Sequence, residues 1–455
     1  MSGKRFIIRV ALGLWAGWLC CHRAHAVDLQ GDLSLLGQVR QGDQSRETEA
    51  PTDLYGNLGV SGLYGGTSLD TYFRVEHDFG LNHTATDFYS GSLRVPGTPP
   101  GVDFTLGRQF LNEGLAAPFV ADAGKINIEP GGPVGFTIFG GQPRYFEPTY
   151  SSESLSQDEQ IFGGSVHTTH LKDGRLSVGY FEQHRDGRIL RQVVTGTGSR
   201  SFTQLPGLPN FYGSVALDTQ RQNVDLGTAG FDVFLFQPRL LFNFESSYYK
   251  PQNQGERVIA DKNLREDAIF ELFSLSEMRQ FRGGLRYTLS RTVSAFGDYS
   301  YQRYERQDNK PVNGSVGSAG LVWLPGGDGL EVVRLEYYVI DSAGGSVNGG
   351  KAYYESRVYN RIVFRTKIDV AHYAKENNQR DTAVTGMLGL GYVIRPGLVW
   401  ELDFEGNRNQ RFDEEFRFGF LIRYNFDYRA NKPAQPQGAS AKPNPWEPSS
   451  GRPVS

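Results

Sequence analysis

The chain has 455 residues, a formal net charge of −3 and two cysteines. That charge is too small to argue for a nucleic-acid partner. Cys20 and Cys21 both fall within the first 26 residues, so the remainder can form no disulfide framework, thiolate metal site or cysteine nucleophile.

Residues 1–26 read as a secretory signal. Lys4, Arg5 and Arg9 supply the positive start, Val10 to Cys21 an apolar core, and Ala24-His25-Ala26 a small-x-small cleavage site after Ala26. A retained anchor is the alternative, but the core is short for a span, and Trp18-Leu19 before the cysteines does not fit a lipid-attachment site. Beyond it no stretch approaches the roughly 18 apolar residues of a membrane helix. A chain without such helices can cross a bilayer only as a closed sheet, in which every backbone donor and acceptor is paired. Composition leans that way, with 56 Gly, 30 Phe and 23 Tyr against 3 Met.

From residue 28 onward the dominant pattern is period-two alternation in segments of about ten residues, the length a tilted strand needs to cross a membrane. Leu29, Leu33, Leu35 and Val39 share one face, opposite Asp28, Gln30, Asp32, Ser34, Gln38 and Arg40. Leu69, Thr71, Phe73, Val75 and Phe79 oppose Asp70, Tyr72, Arg74, Glu76 and Asp78. Near the end Leu398, Trp400, Leu402 and Phe404 oppose Glu401, Asp403 and Glu405, and Phe416 to Phe426 alternate with Glu415, Arg417, Arg423 and Asn425. A soluble sandwich would show the same alternation. The connections separate the two: tight turns at 65–67, 172–174, 236–238, 290–292, 325–329 and 395–397 alternate with long polar segments such as 140–158, 184–222 and 250–277.

The expectation is therefore an all-β fold, a single antiparallel transmembrane β-barrel over 27–428, with about 18–20 strands, short periplasmic turns and longer external loops. Residues 188–217 fit an outer hairpin above the membrane, 351–375 fit one long strand or two short ones, and 268–277 fit a loop helix or a strand start. The six prolines of 429–455 mark a Pro-rich, disordered periplasmic tail.

If apolar faces meet lipid, the alternate faces line the lumen. Candidate selectivity residues are then Arg74, Glu76 and Asp78; Arg282 and Arg286; Arg334 and Glu336; and Glu401, Asp403 and Glu405, with Arg417 and Arg423 opposite them across the ladder. They could set a transverse field or pair structurally. Tyr248, Tyr249, Tyr299, Tyr301, Tyr337, Tyr338 and Tyr424 fit interfacial girdles, or a sugar-binding track. Of the six histidines outside the signal, His77 is adjacent to Asp78 in a strand and so faces the other way, His167 and His170 also face opposite ways, and His184 could face a partner across a strand but lies at a loop boundary. No metal-ligand spacing, nucleophile elbow or phosphate loop is present, so no enzyme and no cofactor are expected.

Two stretches carry resemblances. Gly419 to Phe426 (GFLIRYNF) resembles the terminal β-signal of bacterial outer-membrane proteins, which implies that Phe420, Ile422, Tyr424 and Phe426 address the barrel-assembly machinery; here, unusually, 29 residues follow Phe426. Leu106 to Gly114 (LGRQFLNEG) and Phe139 to Arg144 (FGGQPR) resemble segments of porin-like large barrels of Gram-negative bacteria, which implies lumen or rim positions for Arg108 and Gln109. The function expected is an outer-membrane porin-like channel for ions or small hydrophilic solutes. The alternative is a structural barrel that sheathes a partner, such as a redox protein, with the tail as a tether; no Cys-x-x-Cys-His haem site is present, so the partner would bring the cofactor.

Overall fold

The computed structural model describes residues 27–429 apart from 42–47, 81, 98–99, 113–118, 145–158, 169, 237–238, 251–276, 306–310, 328, 343–344, 375–379 and 409–414. The signal, the tail beyond Arg429, the possible helix at 268–276 and most of the long segments 140–158 and 250–277 lie outside the described residues.

Twenty-two strands form one closed antiparallel ring, each paired with its neighbours in sequence. A further two-residue ladder, Thr48–Glu49, pairs with Arg40 and Gln41. The first strand, Asp28–Gln41, joins the last, Glu415–Tyr428, from Leu29 opposite Tyr428 to Arg40 opposite Arg417. Both chain ends thus leave the same rim, the one that carries the tight turns named above. Closure removes the sheet edges, whose unpaired donors and acceptors lipid cannot satisfy.

The strand number exceeds the 18–20 expected, because two segments each hold a hairpin. Residues 188–217 are not an outer hairpin; they supply the wall strands Arg188–Ser201 and Asn210–Asp218, joined to Gly174–Arg185 by a turn at Asp186-Gly187. That pair has φ of 51° and 72°, the left-handed geometry that matches the twist of two-residue hairpins. The segment 184–222 is accordingly wall, not a long loop. The described part of 351–375 forms two strands, Gly345–Val358 and Ile362–Ala374, joined by a turn with Tyr359 and Asn360 at φ of 52° and 55°.

Burial fixes the sides. Leu321 and Leu388 are 46 % and 54 % exposed, whereas Glu76 and Glu401 are 7 % and 6 % exposed. This inverts the pattern of a soluble protein, and suits a wall with hydrocarbon outside and polar groups inside. The apolar outer face ends abruptly. Leu176, Val178 and Tyr180 give way to Glu182 and His184, and Tyr287, Leu285 and Phe281 to Arg279 and Glu277, counting away from the tight turns. Seven to nine residues of tilted strand make a band roughly 20 Å tall, close to the roughly 25 Å of such barrels. The expected girdle tyrosines divide: Tyr299 and Tyr337 face outward and are exposed, while Tyr338 is buried on the inner face, its hydroxyl donating to Asp369 Oδ1 at 2.8 Å.

Candidate functional site

The inner wall holds the ionisable groups, and the alternation of each strand decides which. Pro51–Ser61 contributes Asp53, Ser68–Asp78 contributes Arg74 and Glu76, and His83–Pro96 contributes Asp87, all in adjoining register positions. Arg74 donates Nε to Asp53 Oδ1 at 2.7 Å and approaches Glu76 at 2.8 Å and Asp87 at 3.6 Å. One cation among three carboxylates leaves this arc acidic. Asp78, on the same face, accepts the backbone N–H of Gly80 at 2.8 Å and of Ala50 at 3.4 Å, so it ties down the strand end.

Around the closing seam Glu401 pairs with Arg365 at 2.7 Å, and Arg365 approaches Glu355 at 3.4 Å. The expected pairing of Glu401, Asp403 and Glu405 with Arg417 and Arg423 is therefore largely replaced. Arg417 approaches Glu405 only at 3.8 Å and bonds Glu415 at 2.9 Å. Arg423 stands opposite Val399 and Ser34, and neither it nor Asp403 forms an ion pair among the described residues.

Arg282 and Arg286 lie on the inner face of Glu277–Thr288, exposed, and neither has a carboxylate within salt-bridge distance among the described residues. Their strand is fourteenth in the ring and that of Arg74 is third, half of the 22 strands away. Arg282 and Arg74 each sit six residues from the tight-turn end of their strand. Arg282 stands opposite Glu245 in the ladder, and Asp298 stands opposite Gly284 between the two arginines, so this wall carries both signs at the height of the acidic group across the ring. Arg334 bonds Glu336 at 2.8 Å and covers the ring of Phe296 at 4.6 Å, next in register to Arg286.

The arc between these walls differs. Leu111, Ala121, Phe139, Ile161, Phe181 and Val193 form a buried apolar cluster on the inner face of successive strands. Gln109 lies on this face, 5 % exposed, and donates Nε2 to the Ala123 carbonyl at 2.9 Å. The same arc also carries the inner ion pairs Arg185–Glu159 and Arg191–Asp225.

Arg108 is the one candidate on the wrong side for a lumen role. It shares the strand face of Leu106 and Phe110, both more than half exposed, and so points outward. The residues of the expected assembly signal also face outward: Phe420 covers Gly37 of the first strand, and Tyr424 packs on Phe426 with ring centres 5.5 Å apart. The expectations missed Asp53, Asp87 and Arg365; Asp53 and Arg365 sit in strands of ordinary alternation that would have revealed their face, whereas the strand of Asp87 is bulged at Tyr89, which shifts its parity. His77, His184 and His372 face outward and bond Thr84, Glu182 and Thr382.

No family model matches the chain, and no curated protein does. Among solved structures it is similar to OpdQ of Pseudomonas aeruginosa, with 10% identity, 88% of this chain and 98% of that one covered and a TM-score of 0.44. It is similar to OccK1 (OpdK) of the same organism, at 10% identity, 89% and 98% coverage and 0.43. A BenF-like porin from Pseudomonas fluorescens Pf-5 aligns at 8% identity, 88% and 99% coverage and 0.47.

Proposed function

We propose that this barrel, which has the fold of a porin-like outer-membrane protein, is an open channel that passes small hydrophilic solutes and ions under a transverse field. The observation that carries the reading is an inner face with charges of both signs, in which Arg282 and Arg286 have no carboxylate within salt-bridge distance among the described residues and lie half a circumference from the acidic group around Arg74. Charges of opposite sign across an aqueous lumen orient water and separate the paths of cations and anions, at no cost to passage. Lumen charge that served only to stabilise the wall would be paired, as Arg365 is. In this reading the chain reaches the outer membrane after cleavage at Ala26. The barrel-assembly machinery inserts it through the strand that ends at Phe426, with the tight turns in the periplasm.

Liposome swelling with uncharged sugars of rising size tests the passage. Swelling that falls off with sugar size supports an open conduit, whereas no swelling with the smallest sugar, in liposomes shown to hold the protein, contradicts it.

A further inference from the structure

The two motifs that the channel does not use, the Gly-Arg-Gln stretch and FGGQPR, meet on the outer face. Val102–Leu111 carries Arg108, Phe119–Ile128 carries Asp122, and Val134–Arg144 carries Gln142 and Arg144. Asp122 is opposite Arg108 on one side and Gln142 on the other. Arg108 donates Nε to Asp122 Oδ1 at 2.7 Å, Nη2 to Oδ2 at 3.2 Å and Nη1 to the Phe88 carbonyl at 2.6 Å. Arg144 donates Nε to Asp122 Oδ2 at 2.6 Å and Nη2 to Gln142 Oε1 at 3.4 Å. Two guanidinium groups thus share one carboxylate, leaving a net charge of +1, and all three side chains keep between 22 % and 33 % of their surface open.

The setting says what such a charge meets. Leu106, Phe136 and Ile138 are exposed immediately towards the tight-turn side, on the apolar band. A charge on the lipid face is costly in mid-membrane and tolerated at the headgroups, and a guanidinium fork matches phosphate oxygens geometrically. We infer that Arg108 and Arg144 bind the phosphate of an outer-leaflet lipid, whose acyl chains lie on Leu106, Phe136 and Ile138. The inference rests on the outer-membrane reading above, which sets this rim in the outer leaflet. Asp122 ties the two guanidinium groups together and offsets part of their charge.

The full-length protein, purified in detergent, is incubated with bis-phosphorylated lipid A or its dephosphorylated form, and retained lipid is counted by native mass spectrometry. Retention of the phosphorylated form about tenfold above the other is expected, the worth of one or two charge-assisted bonds. The double variant Arg108→Gln, Arg144→Gln should lose that preference. Asp122→Asn should raise retention of the phosphorylated form over the dephosphorylated one, whereas misfolding would change both alike. Equal retention of both lipids, unchanged preference in the double variant, or displacement by excess inorganic phosphate alone would overturn the proposal. Channel activity measured on the same samples separates the cases: an active channel with no lipid preference refutes this site alone, and an inactive, detergent-independent protein refutes the membrane reading beneath it.

Discussion

Arg365 and Glu401 meet at 2.7 Å although a whole strand, Arg380–Arg395, runs between theirs. The bridge is possible because the intervening strand presents Gly389 opposite Arg365 and Gly391 opposite Glu401. A Cβ on Gly389 would collide with Asp403 Oδ1, so the glycine is what lets inner side chains cross it. Arg365→Met strands Glu401 at 6 % exposure, and a loss on the order of 3 kcal/mol is expected in denaturant unfolding from lipid vesicles. The double change Arg365→Met, Glu401→Met should cost less than the single one, and a larger cost would show that the pair is not what holds these three strands.

The facing walls make a directional claim about ions. A unit charge about 10 Å away in water is worth about 0.4 kcal/mol, a factor of about two in local ion concentration. Arg282→Glu or Arg286→Glu changes the charge by two units and should therefore move the reversal potential in a salt gradient towards cations, by about a factor of four in local ion preference each. The same substitution at Arg365, which is already paired, would destabilise the barrel before it altered selectivity.

Screening supplies a second check on the same residues. The Debye length shrinks from about 10 Å at 0.1 M salt to about 3 Å at 1 M. Any ion preference set by Arg282 and Arg286 should fade across that range, and a preference that persists at high salt would point to pore width instead.

The assignment of sides can be tested within one strand. Leu321 and Ser318 belong to Pro311–Trp323 but face opposite ways, and Ser318 stands opposite Asp298. Leu321→Arg should destabilise the inserted barrel by about 2–4 kcal/mol, while Ser318→Arg should be tolerated. Folding yield in vesicles, read by heat-dependent gel mobility, reports both.

At the closing seam the Phe420 ring occupies the space above Gly37, where a Cβ would overlap its Cε1. Gly37→Val is expected to displace the ring and slow closure of the first strand on the last, seen as a lower folded fraction. Phe420→Leu, which frees the space, should restore part of the yield in the double variant.

Alternation makes most of this wall legible in the sequence. Arg74, Glu76, Arg282, Arg334 and Glu401 all take the inner face that their apolar neighbours dictate. Arg108 departs from its expected place because the resemblance points to the lumen, where the parity of Leu106 and Phe110 points outward. The strand number falls short for a different reason. Tyr359-Asn360 makes its tight turn without glycine, and the polar flanks of Asp186-Gly187 hide a hairpin within what reads as loop. The partner of Glu401 is beyond the reach of sequence, since the bridge skips a strand and depends on two glycines whose register only the ladder shows.

The most direct test of the whole account is the current through single purified barrels in a planar lipid bilayer. Discrete, long-lived conductance steps, with an ion preference that Arg282→Glu shifts towards cations, are the result expected of a polar lumen open to water. Barrels shown to have inserted that carry no current would contradict it.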